Sequence, residues 1–194
     1  MRRIVKAAAA LGCLWLAQGC AFLSKNEPLQ PRYFTIDTPP PAAAAPRSEL
    51  KLRLGAVLSG SDIRQYLMYR TTEHELSYSN EQRWTEKPEA FLRRALERVL
   101  FEERGFQRMI SGLGTTLEVE LTAFEEVRQK PEHVRIAAVI KLHDGHFVKL
   151  EKTLNREEPL AAVKDADRPD AVAKALSLAM AALVEEIATQ VSKP

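Results

Sequence analysis

Two stretches of the chain carry apolar residues at helical spacing. Phe91, Leu92, Ala95, Leu96, Val99 and Leu100 recur every three or four positions behind Pro88, which a first helical turn tolerates, and Gly105 follows as a stop. An amphipathic helix is therefore predicted over Pro88 to Arg104. Val172, Leu176, Met180, Leu183, Ile187 and Val191 step by four, four, three, four and four, with Asp167 able to cap and Pro169 in the first turn. This predicts a second long helix reaching nearly to the C-terminus.

Elsewhere the period is two, as a half-buried strand requires. Leu50, Leu52, Leu54 and Ala56 alternate with Lys51, Arg53, Gly55 and Val57; Leu117, Val119, Leu121 and Ala123 alternate with Thr116, Glu118, Glu120 and Thr122; Val134, Ile136, Ala138, Ile140 and Leu142 continue beyond a turn at Lys130-Pro131. A three-residue loop, His143-Asp144-Gly145 with Gly145 left-handed, would set Ile140 opposite Val148 and Ala138 opposite Leu150, keeping one side apolar. Tyr33 to Ile36 reads as a first strand, Leu67 to Arg70 and Glu75 to Ser79 as short strands, and Ile63 to Tyr66 as a turn of helix. Arg156 to Arg168 reads as a charged connector, and Thr38 to Pro46 as a stiff spacer. The fold class is mixed α+β: one domain whose mixed, largely antiparallel sheet is packed by two long amphipathic helices.

The N-terminus follows another pattern. Arg2, Arg3 and Lys6 precede an apolar run from Ala7 to Ala17, and small Gly19 stands directly before Cys20. This is the layout of a signal peptide in which a cysteine replaces the second small residue, and Leu16-Ala17-Gln18-Gly19-Cys20 resembles a bacterial lipobox. A thiol is the nucleophile that accepts a diacylglycerol group, so lipidation at Cys20 and cleavage after Gly19 are expected. Cys13 lies too early for an adequate apolar stretch, and the run falls well short of the roughly 20 residues of a membrane span. The expected organisation is a leader over 1–19, lipidated Cys20 and a tether over 20–32, and a domain over 33–194. At 3.3 to 3.6 Å per residue, Ala21 to Arg32 reaches about 40 Å at most.

Composition changes once the leader is set aside. The leader holds three of the 28 basic residues and none of the 26 acidic ones, so 175 residues remain with a formal charge of −1. Such a chain offers no electrostatic case for nucleic acid. With both cysteines, Cys13 and Cys20, accounted for, no thiol is left for a disulfide or a metal site. His74, His133, His143 and His146 follow no ligand spacing, so no metal and no cofactor beyond the covalent diacylglycerol and N-acyl lipid on Cys20 is expected. The serines lie in no Gly-x-Ser-x-Gly elbow, and Gly112-Leu113-Gly114 precedes a strand, not the helix a phosphate loop requires. Catalysis has no candidate. The remaining cluster is Tyr69-Arg70, Tyr78 and Arg83-Trp84, residue types that dominate binding hot spots but also cap cores. Both readings, partner surface and structural motif, stay open.

Around this cluster the sequence resembles a known family. The RYFTID strand near the tether, Leu54-Gly55-x-Val57, Tyr69-Arg70, Arg83-Trp84 with Pro88 soon after, and LERVLFEERGF resemble the ABC-type transport auxiliary lipoproteins. These are the PqiC-like partners of MCE-domain lipid transporters. The resemblance runs from Arg32 to Val191 and implies a non-catalytic, periplasm-facing lipoprotein. It would dock an MCE assembly at the membrane while phospholipid or related apolar molecules move between the two membranes. Ala21 after Cys20, where Asp would keep a lipoprotein at the inner membrane, points to the outer membrane under the usual sorting rule. Assembly of several copies around an MCE ring is compatible with the resemblance. A lipoprotein assembling outer-membrane components, or a carrier of lipid or another small apolar ligand, would share the anchor and the lack of an active site.

Overall fold

The computed structural model describes residues 30–37, 47–112 and 114–193; Leu16 to Cys20, most of the tether and the Thr38–Pro46 spacer lie outside them. The elements in order are β1 (Arg32–Phe34), β2 (Lys51–Ser59), β3 (Tyr66–Arg70), β4 (Leu76–Trp84), α1 (Pro88–Glu97), β5 (Gln107–Arg108), β6 (Thr115–Val127), β7 (His133–His143), β8 (Val148–Pro159) and α2 (Arg168–Ser192). One edge of β6 pairs in parallel with β2 along Thr115–Leu121 and again with β3 at Glu126–Val127. Its other edge pairs antiparallel with β7, which pairs antiparallel with β8. β4 lies antiparallel outside β3, while β1 and β5 add short parallel strands outside β4 and β2. The sheet is mixed, and its longest ladders are the antiparallel ones.

Both helices cover the same face, α2 over β7 and β8, and α1 over β2. β7 shows why: Val134, Ile136, Ala138, Ile140 and Leu142 are buried on that side, while the residues between them are only partly covered. α2 buries all six of its predicted stripe residues. Asp167 stands at its N-cap position but makes no capping bond, because its backbone (φ −95°, ψ −7°) belongs to a 3₁₀ turn over Asp165–Asp167 and lacks the extended geometry that a cap needs. α1 runs on into a π-helical stretch, Arg98–Glu103, closed by Arg104 N–H donating to Val99 O at 2.8 Å, and Gly105 at φ 65° ends it. Helices and sheet share a single core.

Several expected boundaries move. Ile63 to Tyr66 is no helical turn: Ile63 N–H bonds to Gly60 O at 3.0 Å, its side chain is buried, and Tyr66 opens β3. β4 continues past Ser79 to Trp84 through a bulge, in which Ser79 Oγ accepts from the N–H groups of Glu81 and Gln82. The first third of the charged connector is strand, since β8 reaches Pro159, and Gln107–Arg108 adds a short strand beside β2 that no apolar alternation marked. The β7–β8 register also differs. Gly145 is left-handed at φ 95°, but Asp144 Oδ1 accepts from His146 N–H and Phe147 N–H, both at 3.1 Å, and this longer turn pairs His143 with Val148. Leu142 therefore faces Leu150, Ala138 faces Leu154, and Ile140 faces Lys152.

The alternation in β2 breaks at Gly55-Ala56. Leu54 pairs with Leu117 but Val57 pairs with Val119, so Val57 is buried and Ala56, expected inside, is exposed. Gly55 permits the close approach: a Cβ there would stand 2.9 Å from Thr116 Cγ2 and 3.3 Å from Leu117 O. Arg93 fixes the bulge from α1 by donating to Gly55 O at 2.8 Å. Gly55→Val is expected to cost about 1–3 kcal/mol, the usual penalty of overpacking. A thermal melt identical to that of the native chain would dismiss the close-packing account.

Candidate functional site

The cluster of Tyr69, Arg70, Tyr78, Arg83 and Trp84 is divided by the pleat of the β3–β4 hairpin, whose neighbouring residues point to opposite faces. Trp84 points to the helices. It is 1 % exposed and meets Phe91 of α1 and Phe124 of β6 edge-on, at centroid separations of 6.2 and 5.2 Å. Tyr69 sits beside Glu126 at the end of the sheet, with the Arg128 guanidinium 3.6 Å from its ring centroid.

Arg70 lies on the face without helices. Its Nε and Nη2 donate to the two oxygens of Glu125 at 3.0 and 3.1 Å, and its Nη1 donates to Glu73 O at 3.0 Å. Arg135 of β7 binds the same carboxylate, its Nε at 2.9 Å. Glu125, 1 % exposed, is thus a buried carboxylate held between two arginines. The next residue, Glu126, faces the helices and takes Arg128 at 3.2 Å and Arg168 at 2.5 Å, while Arg168 also reaches Glu132 at 3.0 Å. Burial works against the charge of Arg168, but the Glu126 and Glu132 carboxylates outweigh it and raise its pKa above the ordinary value. These groups line a cavity of about 400 Å³ together with Leu67 and Gln82. Every carboxylate named here is committed to an arginine, which leaves none of them poised as a base.

Arg83 and Tyr78, on the face opposite Trp84, belong to a ladder the sequence cluster only half contained. The Arg83 guanidinium stands 4.9 Å from the Tyr66 ring; Tyr66 meets Tyr78 edge-on at 6.4 Å and 70°; and Arg64 stands 5.8 Å from the Tyr78 ring. Tyr78 is tied down by its hydroxyl, which donates to Asp62 O at 2.7 Å. Tyr33 of β1, 57 % exposed, is the register partner of Arg83 and so shares its face. Tyr33 was missed as a member because strand pairing brings it in from β1, and Arg64 and Tyr66 because their segment was read as a turn of helix when Tyr66 in fact opens β3 opposite Arg83.

The histidines do not converge. His143 faces Glu118 at 3.6 Å, and His133 Nδ1 lies 2.8 Å from Pro131 O. Among the described residues no group of three or more His, Cys, Asp or Glu is arranged to hold a metal ion. Asp144 is explained by its turn: the Phe147 and His146 N–H groups, with Lys149 nearby, hold its carboxyl below the ordinary range.

No helix among the described residues is long and apolar enough to cross a membrane. No curated protein sequence matches the chain. Among solved structures, protein XCC0632 from Xanthomonas campestris is 18% identical, with a TM-score of 0.69 over 82% of this chain and 95% of that one. A crystal structure of an uncharacterized protein, also 18% identical, gives 0.65 over 84% and 99%. The hypothetical protein CT253 from Chlamydia trachomatis, 9% identical, gives 0.51 over 74% and 96%. These likenesses establish a shared fold. Residues 34–188, from the second residue of the β1 aromatic pair to the penultimate turn of α2, match the model of the ABC-type transport auxiliary lipoprotein component, and the chain belongs to that family.

Proposed function

We propose that this protein is the non-catalytic, membrane-anchored accessory of an MCE-type ABC lipid transporter, held at the periplasmic face of the outer membrane by acylated Cys20. The family match over residues 34–188 carries the reading, and the Leu16–Cys20 motif supplies its anchor. The packing of the interior supports docking over carriage of an apolar ligand: Leu92, Leu96, Leu100, Ile136, Ile140, Leu176, Leu183 and Ile187 are all at most 1 % exposed, and the cavity at the end of the sheet is lined chiefly by the charged Glu126, Arg128, Glu132 and Arg168. The partner is the MCE-domain protein, recruited to a domain that can stray only about 40 Å from its lipid. Cys20→Ser is expected to abolish acyl labelling and the support of lipid transport in cells while leaving the thermal melt of the domain unchanged. Full transport from the unlipidated form would make the anchor incidental. Affinity capture that recovers an outer-membrane β-barrel protein and no MCE protein would shift the reading to outer-membrane assembly.

A further inference from the structure

Arginines in this domain are for the most part matched to acids. Arg70 and Arg135 share Glu125, Arg128 and Arg168 share Glu126, Arg94 has Glu86, Arg104 has Glu185 and Arg156 has Glu186. Arg64 and Arg83 have no carboxylate within ion-pair distance among the described residues. Their contacts are tyrosine rings, and Arg83 Nε is shielded from solvent without a hydrogen-bond partner. These two cations occupy the ladder that includes Tyr66, Tyr78 and the exposed Tyr33.

We propose that Tyr33, Arg83, Tyr66, Tyr78 and Arg64 form the surface that docks an acidic segment of a partner protein. Two features favour this occupant. The surface carries two guanidinium groups with no carboxylate within ion-pair distance among the described residues, so a carboxylate arriving from outside meets donors that need not first break an ion pair there. The rings are held before binding, Tyr66 between Arg83 and Tyr78, and Tyr78 by its bond to Asp62 O, so little side-chain freedom is lost on contact. Stacking on a ring also fixes the plane of a guanidinium, and with it the directions in which it can donate. Tyrosine and arginine are the residue types over-represented where binding energy concentrates. The proposal deepens the docking role and rests on it for the identity of the partner, but the binding chemistry can be tested without that partner.

The full chain, purified in a non-ionic detergent, would be titrated into fluorescein-labelled deca-glutamate in low salt, with deca-lysine as the control. Deca-glutamate alone is expected to bind, and the Arg64→Glu/Arg83→Glu protein to bind it about tenfold more weakly or not at all. Arg64 is exposed, so Arg64→Glu by itself should keep the native melt and still weaken binding; it decides the matter if the double variant is destabilised. Failure of the native chain to bind, or equal binding by the variants, overturns the proposal. So does retention on phosphatidylglycerol vesicles that the same substitutions abolish while peptide binding is absent, which would assign the surface to a membrane. A self-association in sedimentation that Arg64→Glu abolishes, again without peptide binding, would assign it to a second copy. None of these outcomes touches the transport result of Cys20→Ser, so the two readings fail separately.

Discussion

Trp84→Ala is expected to lower the melting temperature by roughly 10 °C while leaving partner capture by the folded protein intact. Removing a buried Trp costs about 3–5 kcal/mol, and in a domain of this size each kcal/mol moves the midpoint by about 2–4 °C. The ring joins three elements, since β4 carries it against Phe91 of α1 and Phe124 of β6. Its Nε1 is buried without a hydrogen-bond partner, so the loss is one of packing, and Trp84→Phe should recover most of it. An unchanged melt combined with lost partner capture would mean that the tryptophan works at the surface.

Glu125→Ala should be the next most damaging change, at about 3 kcal/mol or more, the cost of stripping one side from a buried ion cluster. It would leave Arg70 and Arg135 facing each other, the first with only 23% of its side chain exposed. Arg70→Met is expected to be harmful for the converse reason, leaving the carboxylate with Arg135 alone. The combination Arg70→Met/Glu125→Leu should cost clearly less than the two single changes added together, because it removes a charge and its counter-charge at once. Strict additivity in denaturant melts would show that the pair is not coupled, and the clamp would lose its structural role.

The helices were legible because their apolar stride is set by helical geometry alone: Val172 to Val191 and Phe91 to Leu100 lie where the spacing put them. The long strands were legible for the same reason. What escaped depends on bulges and on pairing across segments. Gly55-Ala56 and Ser79–Gln82 each shift the phase of a strand, and only the partner strand reveals the shift. Asn80-Glu81-Gln82 holds no apolar residue, so β4 read as ended at Ser79. Had it been carried to Trp84, the pleat would have sent Arg83 and Trp84 to opposite faces and divided the cluster on paper. Tyr33 could not be found that way, because its place beside Arg83 is a matter of which strands meet.

The double use of one edge of β6 has a consequence for how the chain comes to be folded. β2 and β3 are separated by a short excursion, yet both depend for their parallel pairing on a strand that begins only at Thr115. In a chain delivered N-terminus first, the β3–β4 hairpin and the packing of α1 on β2 can form early, but the edges of β2 and β3 that face β6 stay unpaired through the whole synthesis of α1. Contacts this distant in sequence form slowly. The N-terminal half of the sheet is thus the half that cannot close by itself, and it stays incompletely paired until β6 arrives.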